Sequence, residues 1–222
     1  MQQTPIHEQH NPELLNLIPI QSKNLIEVGC SSGALAREFK KLSADCHWLG
    51  IEIDSRYADM AKRHCDKSIV LDIESAPKSF WEETKNADCW IFGDVLEHLK
   101  DPWSILQLVR ANLTKTGSVV ACIPNAQHWT LQAKLSIGDF RYEESGLLDR
   151  THLRWFTRQT IIEMFDQAGF QIEAGIPRIF NEPDRELFLP IIEQMAKAAG
   201  VDPQIAVTDS LPFQHVIRAV PK

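Results

Sequence analysis

Short apolar runs and amphipathic segments alternate along most of this chain. Residues 25–28, Leu-Ile-Glu-Val, form an apolar run that stops at Gly29, and residues 33–42 then repeat apolar side chains at helical spacing. Runs of four to eight apolar residues bounded by turn residues are typical of buried strands. The pattern predicts seven strands, at residues 25–28, 46–53, 68–71, 87–92, 119–123, 170–176 and 213–220.

The segments between the strands carry helix signals. Asp101 can cap the first free N–H groups of a helix in which Pro102 takes the first position. Thr157 caps another helix, and Gly169 ends it in a left-handed turn. The predicted helices span residues 33–42, 55–65, 77–84, 101–113, 157–168 and 184–199.

Regular alternation of strands and helices indicates crossover units on a mostly parallel sheet. We therefore predict a single α/β domain over residues 1–222, with residues 1–23 as an N-terminal helix or cover. Its fold class is a Rossmann-like, doubly wound sheet of seven strands with the last strand antiparallel. Ligands of such sheets bind at the carboxyl ends of the strands, near the point where strand order reverses.

The alternation stops at residues 125–156, a stretch with no sustained period. A connection this long is usually a functional lid or binding loop, so we expect a lid or acceptor-binding insertion here. Its aromatic rings suit a sugar, a nucleotide-sugar or an aromatic acceptor, or they form the core of the lid. Three arginines accompany the rings and suit a phosphate: Arg141, Arg150 and Arg154.

Composition narrows the class of protein. The 222 residues are 44% hydrophobic and 24% charged, with a net charge of −7, which argues against a nucleic-acid binder. The five cysteines are odd in number and form no C-x-x-C pair, so we expect reduced thiols in a cytoplasmic protein. Because the chain shows neither a signal-peptide pattern nor about 18 consecutive apolar residues, we expect no membrane span.

Two loops carry candidate chemistry for a nucleotide-like ligand. Gly29 and Gly33 enclose Cys30-Ser31-Ser32 after the first strand, where glycines let the backbone turn tightly beside a ligand. Glu52 follows about 20 positions later at a strand end, the place where ribose hydroxyls are held. The three-glycine spacing of a dinucleotide loop and the Lys-Ser/Thr of a Walker loop are both absent from these residues.

The sequence resembles the class I S-adenosylmethionine-dependent methyltransferases in several motifs. LIEVGCSSGALA is similar to their first motif, GIEID to the second, DCWIFGDVLEHLKDPWSIL to the fourth-strand motif and GSVVACIPN to the fifth. The segment GLLDRTHLRWFTRQTIIEMFDQAGF resembles a bacterial branch associated with glycan and polysaccharide biosynthesis. The branch implies a glycan or small-molecule acceptor and an association with glycosyltransferases.

The resemblance implies S-adenosylmethionine as cofactor and assigns residues to it. Glu27 would hold its amino-acid part, Glu52 its ribose and Asp72 its adenine amino group, while Ile53 would pack on the adenine. Ser31 departs from the family pattern, which has glycine there. The implied cofactor-binding residues are Glu27, Gly29, Cys30, Ser31, Gly33, Glu52, Ile53, Asp72, Ile73, Gly93, Asp94 and Val95.

The candidate catalytic residues are a histidine that would act as general base and an aspartate that would assist it. His98 follows the fourth-strand motif and His152 lies in the insertion, and imidazole titrates near neutral pH. Asp149 would orient His152 or contact acceptor hydroxyls, and His128 is a weaker candidate base. Each histidine has a structural alternative, in which it shapes its loop or anchors the insertion.

We therefore expect a methyltransferase whose acceptor is a small molecule or glycan. Methylation of an oxygen is favoured over methylation of a nitrogen. The alternatives are N-methylation of an amino sugar or amine, and a non-catalytic module that binds the cofactor beside another enzyme. No motif clusters carboxylates clearly, so the sequence predicts no metal.

Overall fold

A computed structural model describes residues 8–222. Seven strands form one sheet in the order β3-β2-β1-β4-β5-β7-β6. The strands are β1 Asn24–Val28, β2 His47–Glu52, β3 Lys67–Val70, β4 Ala87–Gly93, β5 Leu113–Pro124, β6 Phe170–Arg178 and β7 Gln214–Pro221.

Helices cover both faces of this sheet. Two of the connections also contain short 3-10 turns, at Ile73–Ser75 and Leu96–His98. The helices are α1 Pro12–Leu17, α2 Ala34–Leu42, α3 Ser55–Ala61, α4 Lys78–Glu83, α5 Pro102–Asn112, α6 Trp129–Ser136, α7 Arg158–Gln167, α8 Arg185–Ala198 and α9 Pro203–Ser210.

The predicted fold class is confirmed. β1 pairs in parallel with both β2 and β4, and the parallel set continues through β3 and β5. β7 runs antiparallel to both β5 and β6. Strand order reverses between β1 and β4, so the carboxyl ends of these two central strands border the expected ligand crevice.

The core has a layer on each side of the sheet, which explains the continuous apolar runs. Along β4, Trp90 and Phe92 point into one layer, whereas Cys89 and Ile91 point into the other. A central parallel strand is buried on both faces, so its sequence reads as an unbroken apolar run rather than an alternating one. All five cysteines are free and buried, as the sequence predicted.

The structure adds two helices that the periodicity did not predict. α6 lies inside the insertion, where His128 caps it by accepting a hydrogen bond from the Thr130 N–H. α9 starts at Asp202 and Pro203, a capping residue followed by a first-turn proline. Both helices are short and weakly amphipathic, so their apolar spacing resembles that of a loop. The predicted helix at residues 55–65 is also shorter and ends at Ala61.

At the N-terminus, α1 packs on the sheet and supports the expectation of a helix within residues 1–23; residues 1–7 of that segment lie outside the described residues. Among residues 8–222, no helix combines the length and the apolar character needed to cross a bilayer.

We predict that Gly50→Ala destabilises the fold. A Cβ atom at Gly50 would lie 2.7 Å from Cys30 Sγ and 3.0 Å from Cys65 Sγ, inside the core beneath the first loop. Overpacking of this kind costs about 1–3 kcal/mol, measurable as the free energy of unfolding in urea. Gly175→Ala is the matched control, because a Cβ atom at that strand position makes only ordinary contacts. Equal stability of the two variants would contradict the prediction.

Candidate active site

The loop after β1 is a tight turn built on left-handed residues. Gly29, Ser31 and Gly33 have φ values of 71°, 46° and 78°. The N–H groups of Gly29 and Cys30 both donate to the Ile51 carbonyl, at 2.8 and 3.1 Å. Left-handed geometry is costly for serine, so Ser31, which replaces the glycine of related loops, is held there by its surroundings.

This loop meets the loop after β4 at the crevice. A Cβ atom at Gly29 would lie 2.6 Å from Cγ2 of Val95. The two loops therefore approach so closely that only glycine fits, and Gly29 itself stays exposed. This close approach lies at the strand switch point, where doubly wound sheets bind their ligands.

Glu52 ties the first loop to the end of β2. Its Oε2 accepts the Ser31 N–H at 2.9 Å, and its Oε1 accepts the N–H groups of Ile53 and Asp54 at 2.8 and 3.1 Å. Backbone donors therefore orient this buried carboxylate. Three backbone N–H groups therefore fix this carboxylate at the strand end where the predicted ribose contact lies.

Glu27 lies deeper, at the carboxyl end of β1. It is 6% exposed, and its Oε2 accepts the Trp48 indole N–H at 3.0 Å. Burial, with smaller contributions from nearby Cys65 and Glu52, raises its pKa well above the usual range. The charged form of Glu27 is therefore disfavoured in the ligand-free protein, and a cation beside it would relieve that cost.

The other residues predicted to contact adenine differ in their exposure. Ile53 is 58% exposed, so it is available to an adenine ring, whereas Ile73 is buried. Asp72 is exposed and its Oδ1 accepts the Glu74 N–H at 3.0 Å as the cap of the short turn. Cys30 does not present its thiol to the crevice, because Cys30 is 3% exposed and its sulfur lies against Gly50.

The loop after β4 contains a second strained residue. Asp94 has a φ of 55°, lies between Gly93 and Val95, and accepts a hydrogen bond from Gln214. Non-glycine residues in this conformation concentrate at functional sites. The structure therefore places left-handed polar residues in both loops that border the crevice.

Beyond Val95, the chain brings three catalytic-type side chains together. Glu97, His98 and His152 each offer a ligand or proton-transfer atom, and these atoms lie within 4.8 Å of one another. Nε2 of His152 is 4.0 Å from Oε1 of Glu97, and the two imidazole rings are 4.8 Å apart at their centroids. We call these three residues the Glu-His-His cluster.

Burial governs protonation in the Glu-His-His cluster. It raises the pKa of Glu97 well above its usual range, with the nearby Asp94 charge adding to the effect. It lowers the pKa of His98, and burial and the neighbouring His98 lower that of His152. Both imidazoles are therefore neutral at pH 7 and available as proton acceptors or ligands.

Asp149 contacts the segments of both histidines. Its Oδ1 accepts the N–H and the hydroxyl of Thr151, at 2.7 and 2.6 Å. Thr151 in turn contacts Nδ1 of His98 through its carbonyl at 3.2 Å and its hydroxyl at 3.1 Å. The Asp149 carbonyl accepts the His152 N–H at 3.1 Å. The Asp149 carboxylate thus reaches His98 through an Asp149–Thr151–His98 relay, and its role in orienting the His152 ring or contacting acceptor hydroxyls stays a prediction.

His128, the third candidate histidine, anchors the insertion. His128 is buried as the cap of α6, with Nε2 3.3 Å from a carboxylate oxygen of Glu182. Glu182 also accepts the indole N–H of Trp129. These contacts anchor one end of the insertion to the segment before α8.

The aromatic rings of the insertion divide between core and surface. Trp129 and Phe156 are buried, whereas Phe140, Tyr142 and Trp155 are exposed. The exposed three form a cluster whose ring centroids are 5.9–6.3 Å apart. The interpretation that most of these rings form the core of the lid is therefore wrong for this aromatic trio.

Sequence reasoning assigned no role to Thr151 and only general negative charge to Glu97. Glu97 follows β4 directly beside His98, which is a positional signal. Its burial to 1% exposure is visible only in the structure.

This arrangement defines the class of protein: the α/β Rossmann-like methyltransferases. The methyltransferase domain family matches residues 7–174, well over half of the chain, and the chain belongs to that family. Its fold is that of the class I S-adenosylmethionine-dependent methyltransferases.

Curated relatives are O-methyltransferases. The ubiquinone biosynthesis O-methyltransferase of Paracidovorax citrulli is 31% identical over 124 residues, covering 52% of this chain and 50% of that protein. The protein of the same name from Rhodopseudomonas palustris is 26% identical over 129 residues, covering 58% and 49%. The chain thus spans about half the length of the curated relatives it matches.

Solved structures share the fold at low identity. A methyltransferase from Thermotoga maritima aligns with a TM-score of 0.63 at 14% identity, over 95% of this chain and 86% of that one. Magnesium protoporphyrin IX methyltransferase from Synechocystis, solved with bound S-adenosylhomocysteine, aligns with a TM-score of 0.58 at 11% identity, over 91% and 76%.

We predict that Glu27→Gln stabilises the ligand-free protein at neutral pH. A raised pKa in the folded state means that ionising Glu27 costs stability as pH rises towards that folded pKa. Glutamine keeps an acceptor for Trp48 without the charge, so unfolding should cost about 1–3 kcal/mol more at pH 7.5. The gain should shrink towards pH 4, where wild-type Glu27 is protonated in both states.

Urea unfolding of both proteins at the two pH values measures this difference. Glu173→Gln is the control, because Glu173 is an exposed carboxylate paired with Arg218. A Glu27→Gln gain independent of pH would contradict the ionisation argument.

Proposed function

We propose that this protein transfers a methyl group from S-adenosylmethionine to a hydroxyl group of a small molecule. The observation that carries the proposal is the Glu-His-His cluster, whose first member, Glu97, lies two residues beyond Val95 in the segment after β4. Proton-accepting groups next to a methyl-donor crevice are what O-methylation requires.

The cofactor supplies an electrophilic methyl group on a positively charged sulfur. Glu52 would accept the ribose hydroxyls from its backbone-oriented position, and Asp72 would accept from the adenine amino group. Glu27 would face the amino-acid end. Several carboxylates around one crevice favour a cationic ligand by direct Coulomb attraction.

On the acceptor side, the chain has to align a hydroxyl and remove its proton. Either His98 or His152 serves as the base, since both are neutral at pH 7. Alignment of the acceptor oxygen with the methyl carbon and the sulfur supplies much of the rate acceleration, because a bimolecular step becomes effectively unimolecular. Asp149 would hold His98 in one orientation through Thr151.

The acceptor class is inferred from the relatives and the insertion. The curated relatives are named as O-methyltransferases, which supports oxygen over nitrogen. The aromatic trio, Phe140, Tyr142 and Trp155, offers exposed ring faces suited to an acceptor with an apolar or planar part. A glycan acceptor and a glycosyltransferase partner rest on the resemblance of residues 146–170 alone, so we favour a non-glycan small molecule.

We predict that Glu52→Gln weakens S-adenosylmethionine binding by about 10- to 100-fold, the usual value of a hydrogen bond to a charged group. Isothermal titration calorimetry measures the affinity, and thermal melting checks that the first loop stays folded. Glu83→Gln is the control, because Glu83 is an exposed carboxylate away from the crevice. No cofactor binding by the wild-type protein would overturn the proposed function.

We predict transfer of labelled methyl groups to hydroxyl acceptors, tested with a panel of phenols, catechols, sugars and amines. His98→Gln or His152→Gln, whichever removes the base, should lower kcat by about 10²-fold or more. His47→Gln, at an exposed histidine of β2, should leave kcat unchanged. Transfer confined to amines would replace the assignment with N-methylation, and full activity of both variants would remove the histidines from the chemistry.

A further inference from the structure

The Glu-His-His cluster has the composition and spacing of a metal site. One atom from each of Glu97, His98 and His152 lies within 4.8 Å of the others. Ligand atoms at about 2.0–2.2 Å from one ion in tetrahedral geometry stand about 3.3–3.6 Å apart. Side-chain rotations that bring the three atoms about 1–1.5 Å closer together therefore place them around a single ion.

Glu97 lacks the partner that a buried carboxylate needs. It is 1% exposed, and neither of its oxygens has a hydrogen-bond donor among the described residues. An isolated buried carboxylate is strongly disfavoured unless it is paired or binds a metal. The nearest polar side chains are the imidazoles of His98 and His152, and together with Glu97 they offer the ligand types that divalent transition metals bind.

The hydrogen bonds of His98 leave the lone pair of one ring nitrogen free. The Thr151 hydroxyl uses its proton on Asp149, so it acts as an acceptor towards Nδ1 of His98, as does the Thr151 carbonyl. Two acceptors at Nδ1 place the ring proton there and leave Nε2 unprotonated. A histidine whose second nitrogen donates to an oriented oxygen is the usual arrangement for a metal ligand.

The backbone holds the two contributing segments together without an ion. The Glu97 carbonyl accepts the N–H groups of Leu153 and Arg154, at 2.8 and 3.0 Å. His152 is therefore fixed above the turn that carries Glu97 and His98. Because His98 is only partly buried, one side of the cluster remains open towards the crevice.

We propose that Glu97, His98 and His152 bind one divalent transition-metal ion, of the class represented by Zn²⁺ and Mn²⁺, with an open position for the acceptor. Two imidazoles and one carboxylate suit such ions better than Mg²⁺ or Ca²⁺, which prefer all-oxygen ligands. The sequence predicted no metal, because no motif clusters carboxylates. The ligands come instead from two segments that meet only in the folded chain.

The role of the ion rests on the proposed function. Coordination lowers the pKa of an acceptor hydroxyl, which releases its proton to water. The acceptor oxygen then forms a bond to the methyl carbon as the carbon–sulfur bond breaks, and S-adenosylhomocysteine leaves with that electron pair. In this scheme, His98 and His152 are ligands rather than bases, so loss of activity in their variants does not separate the two mechanisms.

Metal titration separates the mechanism in which the histidines bind an ion from the one in which a histidine is the base. Untagged, chelator-treated full-length protein is titrated with Zn²⁺ alone by isothermal calorimetry, and elemental analysis measures the zinc retained after dialysis. We expect one ion per chain for the wild type and at least tenfold weaker binding for Glu97→Gln and His152→Gln. His215→Gln is the matched control, since His215 is a buried histidine on β7 outside the cluster, and it should bind like the wild type.

Glu97→Gln keeps the shape of the side chain and removes only its charge, so folding should survive; thermal melting checks this. A Co²⁺ visible spectrum of the wild type supplies a second readout, with ligand-field bands that the triple variant Glu97→Gln/His98→Gln/His152→Gln lacks. Zinc binding by that triple variant equal to the wild type would overturn the metal site.

The same samples titrated with S-adenosylmethionine keep the two proposals apart. Cofactor binding together with zinc binding at the cluster supports both. Cofactor binding without zinc binding overturns the metal site and leaves the proposed function intact. Loss of methyl transfer after chelation, restored by Zn²⁺ or Mn²⁺, supports the catalytic role of the ion; full transfer in excess chelator overturns that role.

Discussion

Parallel pairing of β1 with both β2 and β4 is the constraint on which the site depends. It brings the carboxyl ends of three central strands to one edge of the sheet, and the following connections leave on different faces. The resulting crevice is narrow enough that Gly29 and Val95 nearly touch. The cofactor side and the chemical side of the site are therefore neighbours because of strand order, although they lie far apart in the sequence.

Three buried carboxyl groups around this crevice are stabilised in three different ways. Backbone N–H groups surround Glu52, a single indole N–H reaches Glu27, and Glu97 receives no donor from the described residues. Groups kept in unfavourable environments are common at functional sites, where the ligand supplies the missing interaction. The number of hydrogen-bond donors to the carboxyl group thus decreases from Glu52 through Glu27 to Glu97.

The insertion at residues 125–156 is attached to the sheet at defined points. Its first and last residues, Asn125 and Phe156, form a backbone bridge, and the Glu97 carbonyl holds the segment after His152. These contacts hold His152 beside the turn that carries Glu97. The aromatic trio between these anchor points remains exposed.

Sequence alone determined the α/β architecture, the seven strands and the family, because these follow from apolar periodicity and from motifs contained within short segments. It also named the first loop, His98 and His152 as candidates for the site, and these roles stay predictions. It did not determine α6 or α9, whose weak amphipathicity resembles loop sequence, nor the exposure of the aromatic trio.

The Glu-His-His cluster was decided by tertiary structure. Burial of Glu97, the relay from Asp149 to His98 and the approach of His152 all depend on contacts between a strand-end turn and a distant insertion. Local sequence specifies which side chains are present and what each can do. Only the packing of two separate segments removes water from Glu97 and sets three ligand atoms around one point.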